Sequence, residues 1–174
     1  MARYLPVDKG FYITSGFGAR WGTTHWGIDF GRDGGSGGFP IYAAQGGTVT
    51  ASGPASGFGK WINVDHPAVD GSGLTVYGHI IPEVSVGQRV EAGQRIGRIN
   101  PDSNSNGGVA PHLHFEVHRA VWSPPGGNRL DPAPWLIGAL WPGDKPKPAA
   151  PAAPAVDPDE ALWAESLHQL MGPR

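Results

Sequence analysis

Apolar and polar residues alternate along much of this chain, and the sharpest case is residues 112–118, His-Leu-His-Phe-Glu-Val-His. Strand side chains point to opposite faces with a period of two, so His112, His114, Glu116 and His118 share one face and Leu113, Phe115 and Val117 the other. The apolar face predicts a core, and the polar face is free to carry chemistry. Residues 25–30 alternate in the same way, with Trp26, Ile28 and Phe30 on one side and His25 and Asp29 on the other. Spacing of four also suits a helix, but Gly27 and Gly31 disfavour one, so a single strand is expected here.

Further short strands are predicted at 41–43, 47–52, 61–65, 74–79, 88–90, 95–99 and 112–118, after one that opens at Tyr12 and breaks at Gly16-Phe-Gly18. That rhythm predicts a mainly β fold: an antiparallel sheet system with one ligand-bearing face and long loops forming a substrate groove. The counts of Gly (28) and Pro (18) in 174 residues favour a loop-heavy β fold over a helical bundle. Beyond residue 141 the pattern changes. Residues 142–157 are rich in proline and alanine and read as a semi-rigid linker. Residues 158–174 read as a short C-terminal amphipathic helix, with Asp157 and Glu160 at its start and Trp163, Leu167, Leu170 and Met171 on one face. Residues 1–141 then form one folded domain.

Histidine dominates the candidate chemistry. His25, Asp29, His79, His112 and His114 offer five nitrogen or oxygen donors, and the chain has no cysteine, which excludes thiolate-held zinc and iron–sulfur centres. A hydrolytic zinc site uses three protein ligands, so two imidazoles are left over for proton transfer and charge stabilisation. His66 precedes a proline at a strand end and reads as a turn residue. His118 lies about 13 Å along the strand from His114, too far for the same metal. Glu116 is near enough to orient a ligand imidazole or to be merely structural. His168 falls in the terminal helix and has no partner there. Trp21, Trp26 and Tyr77 stand beside the candidate residues as possible groove walls, and the 31–38 loop can line the same groove.

Five segments in order carry a resemblance: Ser15-Gly-Phe-Gly-Ala-Arg20, His25-x-Gly-x-Asp29, Val76-Tyr-Gly-His79, the glycine-glutamine turns of 86–97, and Pro111-His-Leu-His-Phe-Glu116. Over residues 12–135 the chain resembles the lysostaphin-like (LytM-type) zinc endopeptidases that cut peptidoglycan. The resemblance implies zinc as cofactor, with His25, Asp29 and His114 as its ligands. It implies that His79 and His112 are the non-ligand catalytic pair, and that residues 1–141 are the catalytic domain. The implied reaction is metal-assisted hydrolysis of a peptide bond in peptidoglycan stems or cross-bridges. An inactive member of the fold that binds wall or activates another hydrolase is the alternative, although all five positions are filled. The 86–97 turns are also similar to those of biotinyl and lipoyl carriers, but Lys60, the nearest lysine, lacks their flanking residues.

A formal charge of -2, with scattered lysines and arginines, offers no basic face for nucleic acid, and no apolar run is long enough to span a membrane. A monomer acting on peptidoglycan peptide is the expectation. The first ten residues contain no stretch of signal-peptide length, which points to a bacteriophage lysin made in the host cytoplasm and reaching the wall by release or with the virion.

Overall fold

A computed structural model describes residues 2–146, so the predicted helix at 158–174, residues 147–157 of the linker and His168 lie outside the described residues. Thirteen strands run in chain order: β1 Tyr12–Ser15, β2 Gly18–Arg20, β3 Thr23–His25, β4 Ile28–Gly31, β5 Pro40–Tyr42, β6 Gly47–Ala55, β7 Gly59–Asp65, β8 Leu74–Gly78, β9 Ile80–Pro82, β10 Arg89–Val90, β11 Arg95–Ile99, β12 Leu113–His118 and β13 Arg129–Leu130. Among the described residues one short α-helix, α1 Pro132–Trp135, follows. Asp131 caps it by accepting a hydrogen bond from the Ala133 amide, and Pro132 sits at its start, where a missing N–H costs nothing.

The main sheet runs β1-β4-β12-β8-β7-β6-β10, with β13 pairing the end of β12 beyond β4. A three-stranded sheet, β5-β11-β9, packs beside it, and every strand pair is antiparallel. The mainly β, antiparallel expectation therefore holds. Between the two sheets lie Ile28, Phe30, Ile62, Val64, Tyr77, Leu113, Phe115 and Val117 from the main sheet, and Ile41, Ile80, Ile96 and Ile99 from the smaller one, in one continuous cluster. Alternation thus does what it predicted in β12. Its opposite face is buried too, because the 119–128 loop folds back over Glu116 and His118.

Three expectations change. Residues 25–30 are not one strand: His25 ends β3 in a small β2-β3 hairpin, Asp29 lies in β4, and the chain turns at Trp26-Gly27 between them. The hairpin turns at Trp21-Gly22, both with positive φ, the backbone of a two-residue loop whose twist matches its strands. Tyr77 does not border a groove but is fully buried, its hydroxyl accepting from the Ala44 amide. His66 stands at a strand end as expected but is more than a turn residue. It is buried at the end of β7, bonded to the Gly46 carbonyl and to Thr75 Oγ1, and both partners come from elsewhere in the chain.

Candidate metal centre

Register in the main sheet places Asp29 of β4 opposite His114 of β12, and residues directly opposite share a face. The β2-β3 hairpin brings His25 over that face. Its Nδ1–H donates to the Gly16 carbonyl at 2.7 Å, so Nε2 carries a lone pair. His114 is turned the other way round: Nε2–H donates to Glu116 Oε1 at 3.0 Å, which leaves Nδ1 bare. The two bare nitrogens face each other at 3.0 Å, and Asp29 Oδ1 lies 2.9 Å from His114 Nδ1 and 3.2 Å from His25 Nε2.

Three lone pairs converging this closely repel one another, and a cation among them, a metal ion or a proton, relieves that repulsion. Four-coordinate zinc with bonds of 2.0–2.1 Å keeps neighbouring donors about 3.3 Å apart, and the observed edges of 2.9, 3.0 and 3.2 Å fit that spacing. Two imidazoles and a carboxylate are also the donor chemistry that zinc accepts. These residues are the group among the described residues whose donor atoms all lie within 4.8 Å of one another.

Each donor is fixed from behind. Arg20 Nη1 contacts Asp29 Oδ2 at 3.3 Å and also donates to Ser15 Oγ, which leaves Oδ1 free to face the imidazoles. Burial works to raise the Asp29 pKa, but the His112, His114 and His25 imidazoles gathered around it outweigh burial and hold the carboxyl well below its usual range. Glu116, 2% exposed, accepts from His114, from His118 Nε2 at 2.8 Å and from Arg129 Nη1 at 2.8 Å. Burial again opposes its ionisation, and the His114 and His118 bonds with the Arg129 charge prevail, bringing its pKa down to about 2. Burial likewise disfavours the charged form of His114, while Asp29 and Glu116 raise its pKa overall. This centre is built to hold positive charge.

Gly27 makes the approach possible. A Cβ there would lie 2.5 Å from the Phe115 carbonyl oxygen and 2.8 Å from the His114 ring, so only glycine lets the turn between β3 and β4 pass over the ligand.

His79 and His112 stand beside this triangle, with ring centroids 4.5 Å apart. His79 joins β8 of the large sheet to β9 of the small one with φ +63, a left-handed backbone rare for a residue with a side chain. Its Nδ1–H donates to the Asn106 carbonyl at 3.0 Å, so Nε2 is bare. Burial and the neighbouring charges of His112 and His114 push its pKa down to about 4 and keep it neutral. His112, just before β12, donates Nδ1–H to the Ala110 carbonyl at 2.7 Å and directs Nε2 toward Asp29 Oδ1 at 3.5 Å. A cleft of ≈ 440 Å³ opens here, lined by Asp29, His112, Tyr12, Arg32 and Ser36, so the 31–38 loop does border it. Trp21 is 90% exposed on the hairpin tip, and Trp26 packs edge-on against Phe17.

All five predicted residues are therefore within one site. His118 stays off the triangle and bonds to Glu116. Arg20, Arg129, the Gly16 carbonyl and the Asn106 carbonyl were not anticipated as parts of the site. Arg20 stood in a recognisable motif without a role, whereas a backbone carbonyl leaves no sequence signal at all.

Residues 23–132 match Peptidase family M23. Among solved structures, the chain is similar to lysostaphin in solution, with 26% identity, 84% of this chain and 61% of that one covered, and a TM-score of 0.64. The chain thus spans 61% of the length of that relative. The catalytic domain of the antimicrobial peptidase lysostaphin from Staphylococcus simulans gives 28% identity, 72% and 90% coverage and a TM-score of 0.57. A zinc-containing peptidase from Vibrio cholerae gives 31%, 67% and 36%, with a TM-score of 0.56.

Proposed function

Because the chain belongs to peptidase family M23, we propose that it is a zinc-dependent endopeptidase hydrolysing peptide bonds in the stems or cross-bridges of peptidoglycan. The observation that carries the reading is the meeting of His25 Nε2, Asp29 Oδ1 and His114 Nδ1 beside two further imidazoles at an open cleft. His25, Asp29 and His114 hold the ion in this reading. Bound zinc supplies Lewis acidity, which brings the pKa of water toward about 7 and polarises a carbonyl.

The chain's own groups do the proton work. His112 Nε2, bare and 3.5 Å from Asp29 Oδ1, takes a proton from the attacking water and passes it to the departing amine. His79, kept neutral chiefly by burial, accepts a hydrogen bond on Nε2 and orients the water. Neither neutral ring has a proton on Nε2, since each spends its Nδ1–H on a carbonyl. Stabilising an oxyanion therefore falls to a ring only after it has been protonated. Arg20, Glu116 and Gly16 hold the ligand atoms in place.

Digestion of purified peptidoglycan, with and without a chelator, tests the proposal. Fragments with new amino termini should be released, release should stop on chelation and zinc should restore it, and mass spectrometry of the fragments identifies the bond. Undiminished digestion after zinc is stripped, or no digestion by the zinc-loaded protein of any wall type, overturns it.

A further inference from the structure

The sheet face that carries the metal centre continues past it. His114 lies opposite Gly78 of β8, and Gly78 opposite Trp61 of β7. Alternation then puts Asn63 and Asp65 on that face as well, opposite Val76 and Leu74. An aromatic ridge follows the same line. The Phe58 ring centroid is 5.3 Å from that of His114 and 5.9 Å from that of Trp61, and Trp122, on the loop after β12, meets Trp61 edge-on at 5.9 Å. Gly78 leaves room for the ridge, since a Cβ there would lie 2.4 Å from the Phe58 ring.

At the far end of the ridge is a second cavity of ≈ 520 Å³, walled by Trp61, Trp122 and Leu74 with Asn63, Asp65 and Thr50 on its polar side. Among the described residues, Asp65 is its one charged lining residue, and no lysine or arginine lines it. Asn63 is 3% exposed, and its Oδ1 has no hydrogen-bond partner among the described residues. Thr50 Oγ1 is spent on the Asn63 carbonyl. A carboxylate that shares one cavity with two tryptophans and an unpartnered amide suits a cation that brings its own hydrogen-bond donors on an apolar stem. Tryptophan faces attract such a cation further.

We propose that this cavity is a substrate subsite for a primary ammonium on an aliphatic stem, as the side chain of the diamino acid in a wall peptide provides. Asp65 is its counter-ion, and Trp61 and Trp122 pack against the methylene stem. The inference rests on the peptidoglycan endopeptidase reading. Trp122 lies no further than about 17 Å along the ridge from His114, roughly five residues of extended chain, so one peptide can fill the subsite and present its bond at the metal centre. The acylated amine of a completed cross-link lacks the charge, so the subsite selects a stem whose side chain is free.

Two measurements on the full chain test this. In the first, tryptophan fluorescence is titrated with n-pentylamine and, separately, with N-acetylglucosamine. A saturable change with the amine alone is expected, and it should be lost in Asp65→Asn. In the second, a wall peptide with a free side-chain ammonium is compared with its Nε-acetylated form. The free form should show a KM about fivefold to tenfold lower, and the ratio should fall to about one in Asp65→Asn. Trp122→Ala, on an exposed loop, should give the same loss and serves if Asp65→Asn does not fold. Equal KM values for the two peptides in the parent protein, or saturation by the sugar and not the amine, overturn the subsite. If no wall peptide is cleaved, the endopeptidase reading fails, and the amine titration still decides the subsite.

Discussion

Replacing Glu116 by glutamine keeps shape and volume and removes one charge, 2% exposed, from behind a metal ligand. In the parent protein three donors converge on that carboxylate: His114 Nε2–H at 3.0 Å, His118 Nε2–H at 2.8 Å and Arg129 Nη1–H at 2.8 Å. Glutamine offers one oxygen to these three and turns an NH2 group against at least one of them. Partners of this kind behind a metal-binding imidazole are worth about 10–100-fold in metal affinity. We therefore expect zinc affinity to fall by about that factor, roughly 1.4–2.7 kcal/mol.

Stability falls as well. Leaving the Arg129 guanidinium, 8% exposed, without its carboxylate is the removal of one partner from a buried ion pair, about 3–5 kcal/mol. The depression of the Glu116 pKa from 4.5 to about 2, which the same contacts produce, corresponds to about 3 kcal/mol. Its sign follows from a folded-state pKa lying below the unfolded one. In the metal-free protein the stabilisation is complete above pH 4.5 and is lost as pH falls toward about 2. Competition against a chromogenic chelator measures the affinity, and thermal unfolding of the metal-free protein at pH 7 should show a midpoint lower by about 10 °C. Zinc affinity within threefold of the parent, together with an unchanged midpoint, refutes this account of Glu116.

His114→Ala should abolish both activity and zinc retention, whereas His79→Ala should abolish activity and keep zinc; metal analysis of the dialysed proteins separates them, and turnover by either variant contradicts the assigned roles. Gly27→Ala drives a methyl group into the Phe115 carbonyl and the His114 ring, at 2.5 and 2.8 Å. It should therefore cost about 1–3 kcal/mol of stability and most of the zinc affinity, as read by denaturant unfolding and metal competition. Arg20→Met leaves Asp29 Oδ2 without its cation, 3.3 Å away in the parent, and frees the carboxylate to rotate. A loss of zinc affinity of about tenfold is expected with little change in unfolding midpoint, because Arg20 is only part-buried.

The chain by itself determined the class of fold and the kind of chemistry. Period-two alternation in residues 112–118 fixed which side chains of β12 enter the core, and the five donors His25, Asp29, His79, His112 and His114, with no cysteine, named the candidate metal and its neighbours. These are local properties, set by strand geometry and residue type. Tertiary structure decided what depends on contacts between distant segments. Spacing put His25 and Asp29 on one strand, but a hairpin and a main-sheet strand supply them separately, because Gly27 is free to turn where the local pattern reads as continuous. Which nitrogen of each histidine faces the centre is set by carbonyls and carboxylates elsewhere: Gly16 for His25, Glu116 for His114, Asn106 for His79. Tyr77 and His66 went to the interior for the same reason, their polar atoms finding partners at Ala44, Thr75 and Gly46 that only the packed sheets bring near. Residue type says that a side chain can bind a metal; the hydrogen bond on its far side, made across the fold, says which atom it offers.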